Sequence, residues 1–175
     1  VNVLTPELLI RLMPAAGGRA SIHAEHLERS MQSAEINTAQ RRAAFLAQIA
    51  HESGSLRYVE EIADGSAYEG RVDLGNTQPG WGRLYKGRGF LQITGRTNYR
   101  RCGEALKLDL LASPALLCTP ENAARASTWF WQSRQLNELA DRDQFGLVTK
   151  RINGGYNGLD DRLQHWLRCR KIFGL

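Results

Sequence analysis

One acid in this chain has surroundings that would suit it to proton transfer. Glu52 closes the stretch from Phe45 to Gly54, F-L-A-Q-I-A-H-E-S-G. Phe45, Leu46, Ile49 and Ala50 recur at helical spacing and predict a face packed on a core. Glu52 follows Ile49 by three positions and sits near the edge of that stripe. A carboxyl held there is partly stripped of water, which disfavours its charged form and raises its pKa. A general acid working near neutral pH needs that property. The plain alternative is a surface glutamate in a last helical turn, because charged residues are mostly exposed.

Other chemistries find less support. His23 and His26 lie at i and i+3 on a predicted helix, but no third ligand is near, so no metal is expected. The three cysteines, Cys102, Cys118 and Cys169, are too few and too far apart for a disulfide framework or a metal knuckle. A Cys102–Cys118 bridge is left open, and synthesis in a reducing cytoplasm is the simpler expectation. Cys102 with His165 lacks a nucleophile context, and the glycine-rich segment at 87–94 lacks the Lys-Ser/Thr ending of a phosphate-binding loop. No cofactor is expected.

The formal net charge of +5 favours anionic partners such as nucleic acid, acidic polysaccharide or a bacterial envelope. Basic residues are scattered, with no Arg-rich tail or zinc-finger spacing, so nucleic acid is not the expected partner. No apolar run approaches the roughly 20 residues of a membrane span, and no signal-peptide pattern opens the chain. At 175 residues, one domain over 1–175 is the natural count.

The elements that must position Glu52 read as helices. Thr5-Pro6-Glu7 and Thr119-Pro120-Glu121 are two copies of a start signal, with Thr as N-cap and Pro in the first turn. They predict helices over Pro6–Met13 and about 120–134. Ser21 is expected to cap a helix over 22–33 with Ile22, Leu27 and Met31 buried. Asn37-Thr38 opens the helix over 39–52. Further helices are predicted over 97–106, 136–140, 145–152 and 159–173, the last with Trp166 and Ile172 inward. Residues 56–62 read as a short helical or turn-like piece. From Ala63 to Lys86 the chain is rich in Gly, Asn, Asp and Pro, an ordered loop anchored by Tyr68, Leu74, Trp81 and Tyr85. Residues 87–94 predict a short β-hairpin arm with Gly95 at its turn. Trp129-Phe130-Trp131 predicts two core residues and one facing a cleft.

Four signatures then stand in order: H-E-S-G at 51–54, Y-K-G-R-G-F-L-Q-I-T at 85–94, N-Y at 98–99 and I-N-G-G at 152–155. Together the sequence resembles the family 19 glycoside hydrolases, the plant-type chitinases and many phage or prophage endolysins. The resemblance runs from about Arg41 to Leu167. It implies a mainly α, lysozyme-like helical fold with a central substrate cleft, and hydrolysis of β-1,4 links between N-acetylated amino sugars.

By that resemblance Glu52 matches the general acid of an inverting reaction, in which a second group activates water on the opposite face of the sugar. The carboxyls of such a pair stand about 6.5–9.5 Å apart. Gln92, Thr94, Asn98 and Asn153 match polar cleft positions, Thr94 being the one that helps hold the water. Arg125 matches a basic residue ahead of the W-F-W block. The second carboxylate is Glu61, as in endolysin-like members, or Glu69, nearer the plant spacing; Glu60 is a third choice that would face elsewhere on a helix. Glu61 is preferred, and Glu69 would then be ion-paired to Arg71 or Arg88. Tyr85 and Trp81 are placed against sugar faces or, as single aromatic residues, in the core, and Gly87 and Gly89 are expected to let backbone approach closely. His51 reads either as a tuner of Glu52 or as a packed, hydrogen-bonded ring, the latter preferred. Asn153, read alone, would be only a helix C-cap.

The chain departs from the plant enzymes in lacking their cysteine pattern, their length and a chitin-binding module. With the basic charge, this turns the expected substrate toward bacterial peptidoglycan: an endolysin, monomeric and without a separate wall-binding module. It would be made in the bacterial host cytoplasm and reach the wall through a separate pore. A chitinase on the same scaffold is the alternative, and a non-catalytic wall-binding protein the second alternative.

Overall fold

The computed structural model describes residues 2–175. It is mainly helical: α1 (Pro6–Leu12), α2 (Arg19–Ser33), α3 (Ala39–Glu52), α4 (Trp81–Leu84), α5 (Arg96–Leu106), α6 (Pro120–Ser133), α7 (Leu136–Asp141), α8 (Phe145–Asn153) and α9 (Leu159–Phe173), with short 3₁₀ turns between.

The central helix is α3. Thr38, in extended conformation, caps it by accepting from the Arg41 amide at 3.2 Å. Every residue from Arg42 to Ala50 is buried, so this helix is wrapped on all sides rather than lying on a surface. Its two long buried polar side chains each reach a partner, although Arg42 Nε itself has none. Arg42 pairs with Glu28 of α2 at 2.6 Å, and Gln48 donates to Thr149 of α8 at 2.8 Å. α9 packs along α3, and α6 packs on α2.

The two Thr-Pro-Glu starts form as predicted, with Thr5 accepting from Leu8 and Thr119 from Asn122. α2 starts earlier than the Ser21 cap implied, at Arg19, because Gly17 takes positive φ and reverses the chain there. That start leaves Ile22 outside, 54% exposed, while Leu27 and Met31 are buried. Trp166 is partly buried, stacked on Phe145 with ring centroids 4.8 Å apart.

The β-hairpin arm is not formed. Among the described residues only single antiparallel bridges occur here, Glu60 with Arg88 and Arg88 with Ile93. Arg88 and Ile93 exchange amide hydrogen bonds around a tight turn, in which Gly89 and Gln92 have positive φ. Phe90, Leu91 and Ile93 are all buried. Apolar side chains pulled inward on both sides of a turn leave no face for a ladder. Gly95 is not the turn either. It precedes α5 with φ 88°, against Leu74, where a Cβ would fall 2.7 Å from the Leu74 Cβ.

All three cysteines are free thiols, so Cys102 and Cys118 are not bridged. Burial pushes the Cys102 and Cys169 thiols up to about 12, which removes them as nucleophiles near neutral pH. No described helix is long and apolar enough to cross a membrane.

Candidate active site

Glu52 is the last residue of α3, and the chain turns sharply behind it. Gly54, Ser55 and Leu56 all have positive φ, and the Ser53 hydroxyl accepts from the Leu56 amide at 2.8 Å. The Glu52 side chain is only 21% exposed. Besides the apolar stripe whose edge the sequence predicted for it, Glu52 has a charged partner. Arg162 of α9, 2% exposed, meets Glu52 Oε1 at 2.6 Å. The same guanidinium donates to Gln48 Oε1 and to the Asn157 carbonyl, the latter at 3.2 Å. With Gln48 donating to Thr149, a buried relay ties the acid to three helices.

Sequence reasoning missed Arg162. A partner so far along the chain leaves no local pattern, but one signal was present. A basic residue in the first turn of a helix opposes the helix dipole, so it implies a compensating acid elsewhere.

One residue back on each helix, His51 Nδ1 and Asp161 Oδ2 lie 2.6 Å apart. That hydrogen bond holds the Asp161 carboxyl below its usual value, against the opposing effect of burial. His51 is thus a packed, hydrogen-bonded ring, as preferred. Gly158 sits against it, where a Cβ would fall 2.4 Å from the imidazole Cε1.

A cleft of ≈ 420 Å³ opens in front of Glu52, and Gln92, Thr94, Asn98 and Asn153 all line it. Gln92 and Thr94 from the loop and Asn98 from the first turn of α5 are wired to the backbone of that loop. Gln92 donates to the Gly89 carbonyl at 3.0 Å, Thr94 to the Gln92 carbonyl at 3.1 Å, and Asn98 to the Thr94 carbonyl at 2.8 Å. Asn153 ends α8, but Gly154, at φ 77°, provides the left-handed stop. Its side chain is therefore not consumed as a cap. Trp131 is core, while Trp129 and Phe130 both line the cleft, one more aromatic than predicted.

The rival carboxylates separate clearly. Glu61 accepts from the Tyr68 hydroxyl at 2.9 Å and the Gly87 amide at 3.1 Å, and Tyr68 is itself a cleft residue. A Cβ on Gly87 would fall 2.3 Å from Gln92 Oε1 and 3.2 Å from Glu61 Oε2. Glycine there is what lets Gln92 and Glu61 lie side by side. Glu69 instead accepts from the Gly80 and Arg83 amides at 3.0 and 3.1 Å, capping α4 away from the cleft. It does not make the expected ion pair: Arg71 pairs with Asp73, and Arg88 with Glu60.

Three residues expected at the substrate stand elsewhere. Tyr85 is buried, donates to the Leu111 carbonyl at 3.2 Å and packs on Tyr99, so no sugar reaches its face. Trp81, in turn, lies under the Arg96 guanidinium at 4.3 Å. Arg125 donates to the Leu106 carbonyl at 2.8 Å and lines a separate cavity between α2, α5 and α6, which shares Trp129 with the cleft. Arg134, not foreseen, lines the cleft itself. Among the described residues no cluster of His, Cys, Asp and Glu has the makings of a metal site.

The site therefore offers a carboxyl held by a buried cation, a row of neutral hydrogen-bonding groups, aromatic walls, and a second carboxylate adjoining the cleft residues Tyr68 and Gln92. A family model described as chitinase class I matches residues 24–143. The chain belongs to the family 19 glycoside hydrolases.

An endochitinase of Arabidopsis thaliana is 41% identical over 138 residues, covering 74% of this chain and 47% of that protein. A family 19 domain-containing protein of Haemophilus influenzae is 34% identical over 109 residues, 58% of this chain and 49% of its own. The chain spans about half the length of the curated relatives it matches. Chitinase C of Streptomyces griseus superimposes with a TM-score of 0.80 at 24% identity, over 98% of this chain and 93% of that one. A bacterial family 19 chitinase gives 0.81 at 24% identity, over 99% and 96%. The lysozyme-like helical fold of the family is thus the fold of this protein.

Proposed function

We propose that this protein hydrolyses β-1,4 bonds between N-acetylated amino sugars, with chitin-type N-acetylglucosamine chains as the first substrate. The carrying observation is that Glu52, paired with the buried Arg162, lines one cleft with a row of neutral polar side chains. The endochitinases among its relatives support the choice of substrate.

In this reading Glu52 gives its proton to the oxygen of the leaving sugar as the glycosidic bond breaks. Water attacks the anomeric carbon from the opposite face and passes a proton to Glu61, so the product anomer is inverted. Thr94 orients that water, while Gln92, Asn98 and Asn153 hold the acetamido and hydroxyl groups. The buried Arg162 fixes the acid's position without moving during the reaction, which is how preorganised charge lowers a barrier.

Bacterial peptidoglycan is the second reading. It is favoured by the net charge of +5 and by a cleft whose one basic lining residue is Arg134. Incubation with a chitin hexamer and, separately, with purified sacculi tests both, with fragments weighed by mass spectrometry and fresh anomers followed by NMR. The expected result is cleavage at β-1,4 links with inversion. Absence of any product from either polymer would overturn the reading and leave a glycan-binding protein.

A further inference from the structure

Among the residues that line the cleft, two are charged. Glu52 is matched by Arg162; Arg134 is not matched. Arg134 follows the last turn of α6, and its guanidinium lies over the Phe130 ring, 3.5 Å from the centroid. Its side chain makes one hydrogen bond, to the hydroxyl of neighbouring Ser133 at 3.3 Å. No carboxylate among the described residues lies within ion-pair reach of it. Burial alone depresses its pKa, with no acid to offset that effect. The three buried arginines all have acids: Arg42 faces Glu28, Arg88 faces Glu60 and Arg162 faces Glu52. Arg96, half-buried over Trp81, has none among the described residues but does not line the cleft.

A half-buried cation without a counter-ion is costly, and stacking on an aromatic face recovers only part of that cost. The stacking does something else: it fixes the plane of the guanidinium and leaves its edge free. A planar fork with free N–H groups fits a carboxylate with two parallel hydrogen bonds. Arg151 of α8 donates to the Arg134 carbonyl at 3.0 Å, which ties this end of α6 to α8. A neutral N-acetylglucosamine chain offers such a fork only uncharged acetamido and hydroxyl oxygens. An amino-sugar chain bearing lactyl groups, or peptides attached to them, has carboxylates.

We propose that Arg134 is a specificity residue that binds a carboxylate appended to the glycan, so that this cleft takes carboxylate-bearing amino-sugar chains as well as the neutral chitin-type chains proposed above. The proposal rests on the cleft being the glycan site.

The test compares the unaltered protein with Arg134→Gln and Arg134→Lys on three substrates. These are a chitin hexamer, intact sacculi, and glycan strands stripped of peptide by an amidase, which frees the lactyl carboxylates. Arg134→Gln is expected to lower the ratio of kcat/KM for the carboxylate-bearing substrate to that for chitin about tenfold, the size of a lost charge-assisted hydrogen bond. Arg134→Lys keeps the charge without the fork and should fall between. A drop on intact sacculi points to peptide carboxylates, and a drop on stripped strands to the lactyl group. Added salt should lower the ratio more in the unaltered protein than in Arg134→Gln, which keeps the rest of the net positive charge. Thermal melts check that both variants fold. A ratio that does not change overturns the proposal, as does an equal loss on all three substrates. Should the unaltered protein cut none of them, the proposed function falls. Titration of the dimer of N-acetylglucosamine and N-acetylmuramic acid against chitobiose then still decides Arg134, since equal relative affinity in both proteins rejects it.

Discussion

Arg162 meets Glu52 at 2.6 Å, and the residues just before each of them, Asp161 and His51, also meet at 2.6 Å. Two consecutive residues of α3 are thus paired with two consecutive residues of α9. Such a double clasp fixes the register of the two helices at the point where the acid faces the cleft. Arg162 is 2% exposed, so its position is set by packing as much as by charge. Fixing the acid this way supplies the positional precision that proton transfer in a cleft requires.

Glu52→Gln keeps the shape and most of the hydrogen bonding of this clasp but removes the transferable proton. Turnover should fall by about 10²–10⁴-fold, the usual worth of general acid catalysis. Affinity for an N-acetylglucosamine tetramer, measured by calorimetry, should stay within a few-fold. Retained turnover would remove Glu52 from the mechanism.

Arg162→Met should damage the fold as well as the chemistry. It would leave Gln48 Oε1 and the Asn157 carbonyl without their donor and Glu52 without its counter-charge. Breaking a buried pair from one side costs about 3–5 kcal/mol, which for a chain of this length lowers Tm by roughly 10 °C. Differential scanning calorimetry reads this directly. A stable variant with normal turnover would show that the relay is incidental.

How far these relationships were legible in the sequence depends on their range. The α3 cap at Thr38, the end of α3 at Glu52 and the cleft row Gln92, Thr94, Asn98 and Asn153 were all readable, from local capping chemistry or from motif resemblance. Arg162 was not, because an ion pair between distant helices leaves no periodic trace. The β-hairpin arm was misread because Phe90, Leu91 and Ile93 have strand-like composition. Only the positive φ at Gly89 and Gln92, which sequence does not fix for Gln92, bends them into a turn. Tyr85 was misread for a different reason. An aromatic residue in a glycine-rich loop looks the same whether it anchors the loop or faces a ligand, and here it anchors.

The two rival acids should respond differently to loss of charge. Glu61→Gln is expected to lower kcat about a hundredfold or more on a chitin hexamer while KM changes little, the pattern of a base that acts in the transition state. Glu69→Ala should leave kcat alone and lower Tm slightly. Burial tends to raise the Glu69 pKa, but the backbone amides of Arg83, Gly82 and Gly80 outweigh it and hold the carboxyl below its ordinary value. A reversal of the two kinetic outcomes would reassign the second carboxylate.

Stability should fall in acid partly through Glu28. Burial pushes its pKa up, but hydrogen bonds from Arg42, Gln32 and the Leu4 amide, with the Arg42 charge, bring it below the ordinary 4.5. A carboxyl depressed on folding binds fewer protons in the native state. Its contribution is complete above about pH 4.5 and is lost as pH falls through the lowered native value. Urea unfolding between pH 7 and pH 3 should show this loss. In Glu28→Gln the neutral-pH stability should be lower and the acid limb flatter; an unchanged acid limb would shift the effect to other carboxyls.

Gly158→Ala isolates the clasp from the acid itself. Gly158 has φ 70°, so any side chain there carries the cost of left-handed backbone, about 1–2 kcal/mol. In addition, the new Cβ would fall 2.4 and 2.6 Å from two atoms of the His51 ring. The ring must move, and His51 adjoins Glu52 on the last turn of α3. Gly174→Ala is the matched control, since Gly174 has φ 78° and nothing within 4 Å of its built Cβ. The control should show the backbone cost alone with unchanged kcat. Gly158→Ala should lose more stability and lower kcat by about tenfold, with KM less affected, because a displaced acid is lost chiefly in the transition state. Equal stability loss in the two variants, with normal kcat in both, would mean that the His51 ring moves aside without carrying Glu52 with it.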